Sequence, residues 1–179
     1  MKLALSILLF IPLSLLSQQV KSQQENLSFL VGKWNVERTY SPNSEPRKLK
    51  GNLTCEWALD STFISCRYKM ERPQQKRGLD QVFFNYNPIY DKYESLWLSS
   101  TWPIKVLMQG EMEGHSFVYD AMFPIQEGLI EYVKSEWTVQ LNQETPSFSR
   151  KTHIRTSQDP TNEWFHHMDE TAILIHKSH

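Results

Sequence analysis

The sequence predicts an all-β protein: an antiparallel up-and-down barrel of about eight to ten strands, closed at one end by a short N-terminal helical cap. Three observations predict it. After Gly32 the chain falls into short runs of alternating apolar residues, rich in Tyr, Trp, Phe, Val and Ile and separated by turn residues. None of the breaks can hold a crossover helix, so sequence neighbours must pair antiparallel, and closure into a barrel removes the exposed edges. Residues 27–40, LSFLVGKWNVERTY, join an apolar helical turn to a Trp-bearing strand through a Gly, as a cap folded under a barrel requires.

Residues 1–22 read as an export signal. Lys2 is a minimal positive region, and residues 3–16 form a 14-residue apolar run containing Pro12, short for spanning a bilayer. Val20-Lys21-Ser22 offers the cleavage pattern, with Ser17 as the alternative. No Cys follows the run to carry a lipid. The expected mature chain is a single domain, 23–179, in the periplasm or outside the cell, with no integral membrane segment left after signal removal. A formal net charge of −1 without long basic runs gives no footprint for nucleic acid.

The cap is expected near residues 25–31. Strands are expected at 33–41, 48–59, 62–71, 79–86, 93–100, 104–112, 116–122, 129–141, 147–156 and 163–170, with a last short one at 172–176. The intervening turns carry Pro42-Asn43-Ser44, Pro73 and Gly78, Asn87-Pro88, Glu113-Gly114, Gly128, Asn142 and Pro146, and Asp159-Pro160. Alternate connections of such a meander share an end. The 42–50 and 72–78 loops, with Arg47, Lys48, Lys50, Arg72, Lys76 and Arg77, should therefore make the mouth basic.

One hairpin yields its own register. A turn centred on Asp60-Ser61 sets Leu53 opposite Tyr68, Cys55 opposite Cys66 and Trp57 opposite Ile64. Leu53, Cys55, Trp57, Leu59, Ile64, Cys66 and Tyr68 then share one face. The only two cysteines thus face each other. They can be a cross-strand disulfide, which an oxidising compartment favours, or two buried thiols behaving as small apolar residues.

Leu27, Leu30, Gly32 and Trp34 form L-x-x-L-x-G-x-W. Further on, an aromatic strand runs into Asn87-Pro88-Ile89-Tyr90-Asp91, and Tyr93 with Leu96-Trp97-Leu98 begins the next one. Gly110 and Gly114 add G-x-x-x-G around a hairpin. This set resembles lipocalin-like bacterial proteins of unknown function within the calycin group. The resemblance implies a calycin-type barrel with an internal cavity and no agreed activity. Arg155-Thr156-Ser157 lacks the Tyr of the R-x-Y pair that grips a carboxylate in fatty-acid-binding relatives, so that clamp does not carry over. His153, His166 and His167 match the axial ligand of haem-binding relatives only by rough position.

No G-x-S-x-G, H-E-x-x-H, C-x-x-C, phosphate loop or dinucleotide fingerprint occurs. In His166-His167-Met168-Asp169-Glu170 a regular strand would put His167 and Asp169 on one face and His166 and Met168 on the other. Two ligands on one strand fall short of a metal site, so neither a metal nor a cofactor is expected and a solvated strand end is favoured. Arg38 shares its face with Trp34, Val36 and Tyr40, and Arg150 with Phe148 and Thr152. A buried guanidinium needs a partner, either a structural acid or hydroxyl or an anionic group on a ligand.

The candidate ligand-binding residues are Arg38, Tyr40, Trp57, Tyr68, Trp97 and Arg150. With so many large aromatics inside, a small or flat ligand fits better than a long acyl chain. The expected function is therefore non-enzymatic binding of a small, partly apolar, anionic or neutral molecule. The alternatives are a lyase or isomerase using Arg38 with tyrosines or a His, and an envelope or interaction protein whose interior is filled.

Overall fold

A computed structural model of the chain describes residues 18, 20–41, 46–71, 78–100, 105–141 and 143–177. Helical residues 20–25 pass directly into a 3-10 helix, Asn26–Leu30. Ten strands follow: β1 (Gly32–Tyr40), β2 (Arg47–Ala58), β3 (Phe63–Met70), β4 (Gly78–Asn87), β5 (Lys92–Ser99), β6 (Val106–Glu113), β7 (Ser116–Gln126), β8 (Leu129–Gln140), β9 (Ser147–Thr156) and β10 (Phe165–His176). Each strand pairs antiparallel with its chain neighbours, and β1 pairs with β10 to close the barrel.

Two details differ from the sequence reading. The segments expected at 163–170 and 172–176 are one strand, β10, because its register with β1 continues through Glu170, Thr171 and Ala172. Leu59 belongs to the turn rather than the inner face and is 70% exposed. Residues 59–62 make a four-residue turn with Leu59, Asp60 and Ser61 in the left-handed region. The hairpin register otherwise matches: Leu53 pairs with Tyr68, Cys55 with Cys66 and Trp57 with Ile64. Cys55 and Cys66 form a disulfide, with Cα atoms 4.0 Å apart, as the narrower cross-strand site favours.

The closed end is built from the cap. Leu27, Phe29 and Leu30 are buried, with the Phe29 ring 5.3 Å from that of Phe117. Trp34 is 0% exposed, donates its indole N–H to the Leu30 carbonyl at 2.9 Å, and meets Phe148 edge-on at 5.1 Å. Gln24 accepts the Tyr86 backbone N–H at 2.8 Å, and the Tyr93 hydroxyl bonds both Gln23 and Asn26. Gly32 has a φ of +146°, and a Cβ there would lie 2.7 Å from the His176 carbonyl, so the cap can turn into β1 only on a glycine. Above this floor, rings of Phe84, Phe117, Tyr119, Trp137 and Phe148 fill the lower half of the barrel.

The mouth is the opposite end, where Tyr40 faces Arg47 and Met70 faces Gly78. The strand ends flanking the two loops expected to be basic do meet there. Arg72, Lys76 and Arg77 lie outside the described residues, and Lys48 and Lys50 stand 3.9 and 3.8 Å from Glu37.

Trp34 carries both an indole hydrogen bond and the packing of the closed end. Trp34→Ala is expected to cost about 3–5 kcal/mol in urea unfolding. A loss below about 1 kcal/mol, the scale of surface substitutions, would mean the indole does not support the cap.

Candidate functional site

Inward alternation on β1, β9 and β10 brings three charged side chains together. Glu170, 1% exposed, sits opposite Arg38 of β1 and Arg150 of β9 in the strand register. Arg38 donates its Nε–H to Glu170, and Arg150 donates from Nη2 to the same carboxylate oxygen at 3.1 Å. The other oxygen accepts the Tyr68 hydroxyl at 3.1 Å from across the barrel. Asp80 on β4 completes the group, accepting from Arg38 Nη1 at 3.4 Å and from Ser99 at 2.7 Å.

Aromatic faces line the guanidiniums. Arg38 lies 4.2 Å over the Tyr68 ring, and Arg150 lies 4.7 Å from Trp97 and 5.0 Å from Trp137. Burial alone would raise the Glu170 carboxyl, but Arg150 and Arg38 outweigh it and hold it below the usual carboxylate range. Burial, and then the Glu170 charge, push the Tyr68 hydroxyl well above its ordinary value. Glu170 is therefore a fixed anion and Tyr68 a fixed donor.

A bulge in β10 changes the expected faces. His166 pairs with His153, but the next residue opposite β9 is Met168, paired with Thr152. His167 is the extra residue. His167 and Met168 therefore both line the interior cavity, and Asp169 turns outward to bond His166 at 2.9 Å. The His167 ring meets Tyr40 edge-on at 5.6 Å. Burial, helped by His166 and Arg150, lowers its pKa, so the ring is neutral at physiological pH. His153 meets His166 edge-on at 5.2 Å. Among the described residues no group of three or more His, Cys, Asp or Glu is placed to hold a metal ion.

Above the ion cluster, toward the mouth, lies a cavity of about 290 Å3. Arg38, Tyr40, Asp80, Trp97, Arg150 and His167 supply its polar lining, with Glu131 on β8. Val106, Met108, Phe123, Val133 and Ile154 supply apolar walls. Of the expected ligand-binding residues, Arg38, Tyr40, Trp97 and Arg150 meet here. Tyr68 lies just beneath, stacked on Trp97 at 5.5 Å. Trp57 is elsewhere: its inward position on β2 falls at the closed end, where it borders the cleft beside Val20, Gln24 and Pro88.

Sequence reasoning did not single out Glu170 or Asp80. Alternation held the signal for both, since Glu170 falls between Met168 and Ala172 and Asp80 keeps step with Val82 and Phe84. The need of Arg38 for an internal acid pointed the same way.

This geometry can be set beside known proteins. A family model described as a protein of unknown function, DUF1579, matches residues 19–169. The chain belongs to the DUF1579 family. Among solved structures it is similar to Rv2717c from M. tuberculosis, with a TM-score of 0.57 and 11% identity over 87% of this chain and 96% of that one. The S-type phycobiliprotein lyase CPES from Guillardia theta gives a TM-score of 0.49 and 11% identity over 89% and 93% of the two chains. The first likeness shows a shared lipocalin-like barrel fold. No curated protein matches the chain.

Removing the carboxylate between two buried guanidiniums leaves both uncompensated, so Glu170→Ala is expected to cost about 3–5 kcal/mol. Because the folded-state pKa of Glu170 is lowered, its stabilisation is complete above the ordinary carboxylate value of 4.5 and is lost as pH falls below it. Denaturant midpoints measured from pH 7 to 3 should fall more steeply in the wild type than in Glu170→Gln; parallel curves would contradict the ion cluster.

Proposed function

We propose that the protein is an exported, non-enzymatic binder of a small, partly apolar molecule that presents hydrogen-bond acceptors to the cavity floor. One observation carries this reading. Among the described residues, five buried side-chain polar atoms have no partner, and three of them, Arg38 Nη2, Trp97 Nε1 and Arg150 Nε, belong to residues lining this cavity. All three are donors. Buried donors are almost always satisfied, and leaving one unpaired costs about 1–3 kcal/mol. The atoms themselves are covered, so a ligand's carbonyl, carboxylate or sulfonate oxygen would accept from them once these side chains turn toward the cavity, while Trp97, Met108 and Phe123 offer surface to a flat apolar body.

The volume supports a small ligand rather than an acyl chain. It also weighs against a wholly filled interior. Of the groups an enzymatic role for Arg38 could use, Tyr68 finds little support, since it is tied to Glu170 and holds its proton too tightly for acid–base work near neutrality; Tyr40 and His167 line the cavity.

Export is part of the proposal. The disulfide suits an oxidising compartment, and no helix among the described residues is long and apolar enough to cross a membrane. Val20 packs against the core, and Gln23 and Gln24 hold the cap to Tyr93 and Tyr86. Processing after Ser17 would keep these contacts, whereas processing after Ser22 would remove Val20. The intact mass of protein collected from the periplasm or medium should therefore correspond to a chain starting at Gln18, two hydrogens lighter than the dithiol. A start at Met1, or two alkylatable thiols, would count against export or the bond.

The binding test uses 1-anilinonaphthalene-8-sulfonate, which joins a flat apolar body to an acceptor group. Trp97→Phe keeps the ring and removes the N–H, and should weaken binding about tenfold, the scale of one hydrogen bond to a charged acceptor. Equal affinity of wild type, Trp97→Phe and Arg150→Met would remove the cavity floor from the site.

A further inference from the structure

The same cavity carries a feature of the opposite sign. Glu131, near the start of β8, lines it and is half-buried. Its carboxylate has no hydrogen-bond or ion-pair partner among the described residues, and burial alone raises its pKa. The other acids of the cavity wall and floor are engaged. Asp80 accepts from Ser99 and Arg38, and Glu170 accepts from Arg38, Arg150 and Tyr68. His167 is neutral and cannot compensate a carboxylate.

Strand register separates this lone acid from the lone donors. Arg150 pairs with Trp137, six residues farther along β8 than Glu131, while Glu131 faces Phe123 of β7 and Thr156 of β9 at the mouth. The cavity is thus floored by residues that carry buried, unpaired donors and rimmed by an unpaired carboxylate, with apolar walls of Val106, Met108, Val133 and Ile154 between. Neither set can satisfy the other. A single molecule can satisfy both only if it bears acceptors at one end and a positive or donor group at the other.

Resting on the binding role proposed above, we propose that the ligand class is two-ended: a small apolar or aromatic body with a carboxylate or carbonyl directed to Arg38, Trp97 and Arg150 and an amine directed to Glu131. An anionic ligand without the amine would leave Glu131 desolvated and unpaired, and would suffer its repulsion at the entrance. The amine removes both penalties. Glu131 is then a specificity-determining residue, one that distinguishes amino-carboxylates from simple carboxylates of the same shape.

Two probes of matched shape test this, 4-(aminomethyl)benzoate and 4-methylbenzoate, titrated calorimetrically into the full exported protein. The wild type should bind the aminomethyl compound about fivefold more tightly, the upper end for a partly exposed ion pair. In Glu131→Gln the ratio should fall to about one, with an unchanged thermal midpoint showing that the variant folds. If both probes bind with no such preference, or if the preference survives in Glu131→Gln, the two-ended assignment is overturned while the binding role stands. If neither probe binds at millimolar concentration while 1-anilinonaphthalene-8-sulfonate does, the two-ended assignment is overturned and the binding role stands; if none of the three binds, both fall.

Discussion

A carboxylate with almost no exposed surface governs this barrel. Taking Glu170 out of water costs several kcal/mol unless its charge is answered at close range, and the answer comes from β1 and β9, the two strands that flank β10. That requirement is also a register requirement. A slip of one residue in β10 against either neighbour would turn Glu170 to the outer face and strand Arg38 and Arg150 inside. Tyr68 extends the constraint to β3 across the interior, and Asp80 extends it to β4. The ion cluster therefore selects the pairing of the seam where the first and last strands meet. That seam is the contact with the greatest sequence separation, and so the one least favoured by chain entropy.

The same cluster divides the interior. Below it, rings from β4, β7, β8 and β9 pack against Trp34 and the cap, and the Cys55–Cys66 bridge ties the β2–β3 hairpin at that end. In a chain-entropy account a loop of this length gains about 3 kcal/mol from the bridge. Above it, Arg38, Asp80, Trp97 and Arg150 line the cavity. The space over them stays open. A rigid closed half thus lies beneath an open half with a polar lining.

Much of this was legible in the sequence, because alternation in a barrel assigns faces. Trp34, Val36, Arg38 and Tyr40 fell on one side of β1 by parity, and the turn centred on Asp60-Ser61 placed the cysteines opposite each other. Parity does not report depth, so Trp57 shared the inward face of β2 yet lies at the closed end, away from the cavity. Nor does it foresee a bulge. Assuming a regular strand through His166–Glu170 assigned His167 and Met168 to opposite faces and read the segment as a solvated end. Its last residue, Glu170, is in fact the most deeply buried acid of the cluster. Glu131 was silent for a different reason: a carboxylate in a strand of mixed polarity carries no mark of being partnerless until its neighbours are placed.

The β10 bulge has a consequence for how the family can vary. His166 and Met168 face successive residues of β9, so a chain lacking His167 would have an unbroken ladder with every other side chain on its present face. Loss of any single residue between Met168 and Ala172 would instead invert the strand on one side of the gap. Deletion is thus tolerable at this bulge and ruinous between Met168 and Ala172. The imidazole over the cavity is a detachable part: removing His167 would change the lining at the loss of the Ser41 hydrogen bond to its carbonyl, without renegotiating the rest of the barrel.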